Sequence, residues 1–142
     1  MTLKTMLANG KEEEIKSIYE AFFIFAAMWA VGGGVGGGQD DEKDFKDFNS
    51  MWRAIAKIKF PESGLCYDYY FDINENKWVN WNTRVVKYVP TDETIFNKIY
   101  VPTMHTTRLR FIVDMHLKRR KPVLFIGGAG TGKTAVIKDF LS

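Results

Sequence analysis

Cysteine is nearly absent from this chain of 142 residues, which contains Cys66 and no other. A single cysteine excludes a disulfide within the chain and a metal site built from several cysteines. It fits a reducing compartment best, and its aromatic neighbours predict a buried structural thiol. The formal net charge of +3 gives no reason to expect nucleic acid or membrane as a partner. The longest apolar run, Ala21–Val31, is well short of the ~20 residues that cross a bilayer.

Apolar residues are plentiful, at 46% of the chain, and aromatic residues alone make up 15%. Charged residues add 26%, which is the balance of a globular protein and excludes a wholly disordered chain. The length fits one domain or pieces of two.

Two helices are predicted in the first part of the chain. Glu12–Val31 begins with acidic residues, which suit a helix N-terminus, and its second half is apolar nearly all round, which predicts burial on several sides. The tract Gly32–Gly38 lacks the lysine of a phosphate loop and is interpreted as a flexible connector. Asp40–Lys57 carries apolar residues at spacings of three and four. They are Phe45, Phe48, Trp52, Ile55 and Ile58. The acidic residues at its start predict a solvated face, with a metal site as the weaker alternative.

Strand patterns follow the turn at Pro61–Gly64. Tyr67–Asp72 alternates as a half-buried strand would, and Lys77–Trp81 is interpreted as the returning strand of a β-hairpin. Arg84–Val89 is predicted to be extended and to stop at Pro90. Thr91–Tyr100 is ambiguous, with a short helical turn expected.

A further helix begins near Pro102, with Thr103 or His105 expected as its cap. Its apolar face comprises Leu109, Ile112, Val113 and Leu117. It ends in the basic run Lys118–Lys121, which complements a helix C-terminus. We interpret that run as solvent cover, with a nucleic-acid patch as the weaker alternative.

The strongest signal is at the end of the chain. Pro122–Ile126 is a short apolar run typical of a buried parallel strand. The next eight residues match the Walker A pattern G-x-x-x-x-G-K-[ST], and Ala135–Leu141 continues as a helix. The eight are Gly127, Gly128, Ala129, Gly130, Thr131, Gly132, Lys133 and Thr134.

This pattern has a chemical rationale. Glycines let backbone N–H groups surround a polyphosphate, and the positive end of the following helix faces the anion. Lys133 is expected to reach the β- and γ-phosphates, and the Thr134 hydroxyl to bind Mg²⁺. The predicted cofactors are therefore ATP or ADP and Mg²⁺.

The fold class predicted is α/β: a partial P-loop NTPase, with its first strand, loop and helix preceded by helices and a small hairpin. The acidic strand that such enzymes need downstream of the loop is missing. Phe111–Asp114 resembles one superficially, but it lies upstream and within a helical pattern. We therefore assign no catalytic residue.

Three blocks of sequence resemble dynein heavy chains, particularly axonemal ones. Phe22–Gly33 resembles the closing helix of the second AAA+ module. Ile58–Pro61 with Tyr67–Asp72 and Trp81 resembles the lead-in to the third. Val101–Arg108, followed by Pro122–Thr134, resembles the first helix and Walker A loop of that third module.

The resemblance implies a division of the chain into four parts. Residues 1–31 would close one AAA+ module, 32–60 form a connector and helix, 61–100 a hairpin lead-in, and 101–142 the start of the next module. It implies a fragment of a microtubule motor ATPase, inactive by itself, in the cytoplasm, cytoskeleton and the axoneme of a cilium or flagellum.

The partners implied are the rest of the motor ring, microtubules, and dynein intermediate and light chains. The resemblance also implies that Val101–Met104 lies near the adenine, and that this module regulates the motor more than it drives it.

The alternative is a small stand-alone interaction protein with a vestigial P-loop, binding through its aromatic hairpin Tyr67–Trp81. A compact P-loop kinase is a third hypothesis. The lack of strands after the loop argues strongly against it.

Overall fold

The computed structural model describes residues 12–33, 41–89 and 99–141. The chain divides into an N-terminal unit, Met1–Asn80, and a C-terminal unit, Trp81–Ser142. The N-terminal unit contains helices α1 (Glu12–Gly32) and α2 (Asp41–Ile55) and strands β1 (Tyr69–Asp72) and β2 (Lys77–Asn80). The C-terminal unit contains helices α3 (Met104–Leu117) and α4 (Lys133–Leu141).

Helix α1 has the predicted bounds to within one residue, but only one of its faces is buried. Its buried residues recur at helical spacing. They are Ile15, Ile18, Ala21, Ile24, Phe25, Met28 and Gly32. On the other face Phe23 is 69% and Val31 67% exposed, so the prediction of burial on several sides is wrong for the described residues. This helix also has the length and hydropathy of a membrane span, a test that core helices of soluble proteins pass too.

Gly32 belongs to the core and not to a connector. It is the last residue of α1 and is buried. A Cβ atom there would overlap the Tyr67 hydroxyl oxygen and lie 2.6 Å from the Phe48 ring, so only glycine fits. Gly33 is a turn residue, and the rest of the predicted connector, residues 34–38, lies outside the described ranges.

Helix α2 buries the predicted stripe only in part. Phe45 and Phe48 are half-buried and Trp52 is buried, whereas Ile55 is 57% exposed. The helix stops before the predicted Lys57. The Lys57 backbone N–H donates to the Glu20 carboxylate of α1 at 2.8 Å instead of to a carbonyl of α2.

The predicted hairpin is confirmed, with corrected strands. β1 and β2 pair antiparallel, with Tyr69 opposite Asn80 and Asp72 opposite Lys77. The segment Cys66–Asp68 is a 3-10 turn, so the strand starts at Tyr69 and not at Tyr67. The expected alternation is also absent, because Tyr69, Tyr70 and Phe71 are all buried.

Aromatic rings form the core of the N-terminal unit. The Tyr67 ring is stacked on Phe48, with centroids 5.8 Å apart, and meets Trp29 edge-on at 5.5 Å. Phe60 is stacked on Trp78 at 4.0 Å. Because the large hairpin rings are buried, they do not form the exposed aromatic surface that the stand-alone interaction hypothesis needs.

Cys66 and Arg53 tie α2 to the segment before β1. Cys66 is fully buried, as predicted, and its backbone N–H donates to the Asn49 side chain at 2.8 Å. Burial raises the pKa of the Cys66 thiol to about 11. The Arg53 guanidinium donates to the carbonyls of Pro61, Ser63 and Gly64, which fixes the predicted turn.

In the C-terminal unit, a 3-10 turn, Trp81–Arg84, precedes α3. Trp81 is fully buried against Phe111, with ring centroids 5.2 Å apart, and the Arg84 guanidinium lies over both rings. The rest of the predicted extended piece, Val85–Val89, has no regular structure, and the segment predicted as a helical turn falls largely on residues 91–98, outside the described ranges.

Thr103 caps α3, as predicted. Its hydroxyl accepts from the Thr106 N–H at 3.2 Å, and the Thr103 N–H donates to the Thr106 hydroxyl oxygen at 2.9 Å. The Phe111–Asp114 segment is helical, which agrees with its rejection as an acidic strand. The basic run Lys118–Lys121 is exposed.

The strand predicted at Pro122–Ile126 is wrong for this chain. These residues have no regular structure, and Leu124 is 81% and Ile126 87% exposed. A strand satisfies its backbone N–H and C=O groups with a neighbouring strand. Within the described ranges the sheet has two strands, β1 and β2, and neither pairs with this segment.

Candidate nucleotide-binding loop

The predicted phosphate loop is a turn that ends where α4 begins. Lys133 is the first residue of α4. Gly130 and Gly132 have φ angles of 78° and 82°, in the left-handed region that favours glycine. Backbone conformation therefore explains these two glycines. Gly128 has a φ outside that region, and a Cβ atom there would meet nothing within 4 Å.

The Lys133 ammonium is held inside the loop. Its Nζ donates to the Gly127 carbonyl at 2.8 Å, to the Gly128 carbonyl, and to the Thr131 hydroxyl at 3.0 Å. The Thr131 hydroxyl in turn donates to the Gly128 carbonyl at 3.0 Å. The structure thus brings four of the eight predicted residues into one hydrogen-bonded group.

The remaining predicted residues lie around this group. Gly130 and Gly132 shape the turn, and Ala129 is exposed. Thr134, the predicted Mg²⁺ ligand, is the second residue of α4, and its side chain is exposed. Within the described ranges, no group of three or more His, Cys, Asp or Glu side chains is placed to hold a metal ion.

A cavity of about 420 Å³ lies beside the loop, within the 300–1,000 Å³ typical of small-molecule sites. The loop contributes Gly127, Thr131, Gly132 and Lys133 to its wall. The rest of the wall is mainly apolar and comprises Tyr100, His105, Thr106, Leu109, Phe125, Ile126, Ala135 and Val136. No Asp or Glu side chain of the described residues lines this cavity.

Sequence reasoning missed the wall residues Tyr100 and His105, although they flank the predicted adenine segment Val101–Met104. Desolvation, with the neighbouring Arg108 guanidinium, lowers the pKa of His105. His105 Nδ1 lies 3.0 Å from the Arg108 guanidinium, which orients the ring. No local pattern in the sequence could have placed these side chains beside the loop.

An ion pair fixes α4 to α3. The Arg110 guanidinium donates to the Asp139 carbonyl at 3.1 Å and pairs with the Asp139 carboxylate. It also lies over the Phe140 ring, 5.8 Å from the centroid. Val136 of α4 is buried. These contacts position the helix whose first residue is Lys133, and they too were missed from the sequence.

Two protein families match this chain. Residues 2–83 match the dynein heavy chain AAA lid domain, and residues 88–142 match the P-loop containing dynein motor region. The chain belongs to the dynein heavy chain family. This confirms the resemblance and the prediction of a partial P-loop domain. Membership of a P-loop motor family also implies nucleotide binding.

Individual proteins that are similar to this chain are also dynein chains. The ciliary dynein beta chain of Heliocidaris crassispina is 37% identical over 129 residues, which cover 89% of this chain and 3% of that protein. Dynein axonemal heavy chain 11 of Sus scrofa is 33% identical over 136 residues, which cover 94% of this chain and 3% of that protein. The flagellar outer arm dynein beta chain of Chlamydomonas reinhardtii is 37% identical over 137 residues, which also cover 94% of this chain and 3% of that protein. The chain therefore spans about 3% of the length of the curated relatives it matches.

Proposed function

We propose that this chain supplies the nucleotide-binding loop of one AAA+ module in a dynein-type microtubule motor ATPase. The observation that carries the proposal is the position of the Lys133 ammonium. It is held by the carbonyls of Gly127 and Gly128 at the first residue of α4, on the wall of a cavity large enough for a nucleotide.

The eight loop residues would bind ATP or ADP through its phosphates. Backbone N–H groups of the glycine-rich turn and the N-terminus of α4 attract the phosphate oxygens, and Lys133 neutralises part of their charge. The Thr134 hydroxyl would hold Mg²⁺, which supplies charge neutralisation between phosphates when it is bound. The base would lie against the apolar wall near Tyr100 and Leu109.

The module would bind nucleotide without hydrolysing it in this chain. Hydrolysis by P-loop enzymes needs a carboxylate that holds the metal and a group that positions water. No acidic side chain of the described residues faces the loop cavity. A regulatory site is the role that the resemblance to dynein heavy chains implies and that we propose, within a larger motor that moves along microtubules in the axoneme of cilia or flagella.

We also retain the proposed division of the chain: 1–31 closes one AAA+ module, 32–60 is a connector with a helix, 61–100 leads in, and 101–142 begins the next module. The proposed partners are the rest of the motor ring, microtubules, and dynein intermediate and light chains.

An antibody against Tyr67–Trp81 should detect a polypeptide far larger than 16.4 kDa in cell extract. A band at 16.4 kDa would refute the proposed motor function.

The binding role is tested by titrating the chain with a fluorescent ADP analogue and Mg²⁺. We expect Lys133→Ala to weaken binding at least tenfold, because it removes the cation that faces the phosphates. Lys138→Ala is the matched control, since Lys138 is an exposed lysine of the same helix. Equal affinity of the Lys133→Ala chain and the unsubstituted chain would refute the proposal. The non-hydrolytic role would be refuted if the unsubstituted chain hydrolysed ATP and Lys133→Ala abolished that activity.

A further inference from the structure

We propose that Thr131 is a positioning residue that sets the Lys133 ammonium for the phosphate chain. The proposal rests on the nucleotide-binding role above and deepens it. In the Walker A pattern, position 131 accepts any residue, so the motif assigns no role to this side chain.

The Thr131 hydroxyl joins the lysine to the backbone of the loop. It accepts a hydrogen bond from Lys133 Nζ at 3.0 Å and donates one to the Gly128 carbonyl at 3.0 Å. A hydroxyl has one proton to donate and lone pairs to accept, so one side chain can make both bonds. A methyl group in its place could make neither.

Three acceptors surround the Lys133 ammonium, which has three N–H donors. They are the carbonyls of Gly127 and Gly128 and the Thr131 hydroxyl. The two carbonyls belong to the backbone and survive any substitution. Thr131 provides the only side-chain acceptor among them, and its β-branch restricts χ1 and so fixes the direction of the hydroxyl.

The start of the loop approaches this pair closely. A Cβ atom on Gly127 would lie 3.3 Å from the Thr131 hydroxyl oxygen and 3.8 Å from Lys133 Nζ. The first glycine of the motif therefore leaves room for the Thr131–Lys133 contact. This gives the glycine a role besides backbone approach to phosphate.

The test compares Thr131→Val with Thr131→Ser in the full 142-residue chain, using the fluorescent ADP analogue with Mg²⁺. Valine keeps the branched shape and removes the hydroxyl, whereas serine keeps the hydroxyl. We expect Thr131→Val to raise Kd about tenfold, as expected for loss of one charge-assisted hydrogen bond. Thr131→Ser should stay within about twofold of the unsubstituted chain on the same grounds. Thr107→Val is the matched control, because Thr107 is a half-buried threonine of α3.

A positioning role must act through Lys133, so the two substitutions should not add. We expect Thr131→Val to change Kd less than about twofold when Lys133 is already alanine, because the group that it positions has gone. Full additivity would indicate a merely structural role and overturn the proposal. Unchanged affinity of Thr131→Val would overturn it too, and Thr131→Ala repeats this test without the valine methyl.

The two proposals fail separately. If the unsubstituted chain does not bind the ADP analogue, the nucleotide-binding role fails. If it binds and loses affinity on Lys133→Ala but not on Thr131→Val, only the positioning role of Thr131 fails.

Discussion

Gly32→Ala is expected to destabilise the N-terminal unit, although alanine ordinarily favours a helix. Gly32 is the buried last residue of α1. The new methyl group would overlap the Tyr67 hydroxyl oxygen and approach two atoms of the Phe48 ring to 2.6 Å. Neither ring is a flexible chain end, because Tyr67 and Phe48 are stacked on each other and Tyr67 also contacts Trp29.

Two opposing free energies decide the size of the effect. Replacing glycine by alanine inside a helix gains about 0.5–1 kcal/mol. Inserting a methyl group into a packed core costs about 1–3 kcal/mol. Because both neighbouring rings must move, we expect the upper part of that cost and a net destabilisation of about 1–2 kcal/mol. For a unit of this size, each kcal/mol lowers Tm by about 4–8 °C.

The assay is thermal unfolding of the whole chain, followed by near-ultraviolet circular dichroism, which reports on the packed aromatic rings. Ala30→Gly is the matched control. Ala30 is exposed two residues earlier in the same helix, so its substitution measures backbone propensity without a core contact.

Tyr67→Phe tests the mechanism, because it removes the nearest atom to the new methyl group. On the Tyr67→Phe background, Gly32→Ala should cost less than it does alone, since only the Phe48 contact remains. A Gly32→Ala chain that melts at the original temperature or higher would refute the packing argument. Equal costs on both backgrounds would show that the Tyr67 hydroxyl is not the obstacle.

Three further predictions concern the thiol, the turn before β1 and the unpaired segment. Because burial raises the pKa of Cys66 to about 11, and an unfolded thiol ionises near 9, the free energy of unfolding should fall as pH rises from 9 to 11; a fall of the same size in a Cys66→Ala chain would contradict this. Arg53→Lys should lower the free energy of unfolding in urea by about 1 kcal/mol, since lysine cannot reach all three turn carbonyls; an unchanged urea midpoint would argue against that role. Amide hydrogens of Val123–Ile126 should exchange at least 100-fold faster than those of β1, because the segment has no regular structure; equal protection by NMR would mean that the segment is paired.

Local patterns predicted much of this chain. The bounds of α1, the start of α3 at its Thr103 cap and the presence of the hairpin all depend on residues close to one another in sequence. Helix hydrogen bonds and caps join residues three or four apart, so the chain itself specifies them. The Walker A residues were recognisable for the same reason, since the loop is contiguous in sequence.

Burial and strand pairing were less predictable, because they depend on segments distant in sequence. Phe23 and Ile126 are as apolar as buried residues, yet nothing among the described residues covers them enough to bury them. Tyr70 was expected to face solvent and is buried. Hydropathy indicates which side chains favour burial, but only the packed fold decides which of them obtain it.

The sequence by itself determined the residue types of the loop, its glycines and the lysine that follows them. Only the tertiary structure decided that Arg110 of α3 holds α4 through Asp139, which lies 29 positions later in the chain. It also decided that Gly32, the first residue of an apparent linker, is a packed core position. The physical reason is that motifs and helices arise from bonds between near neighbours, whereas side-chain contacts depend on how distant segments meet in three dimensions.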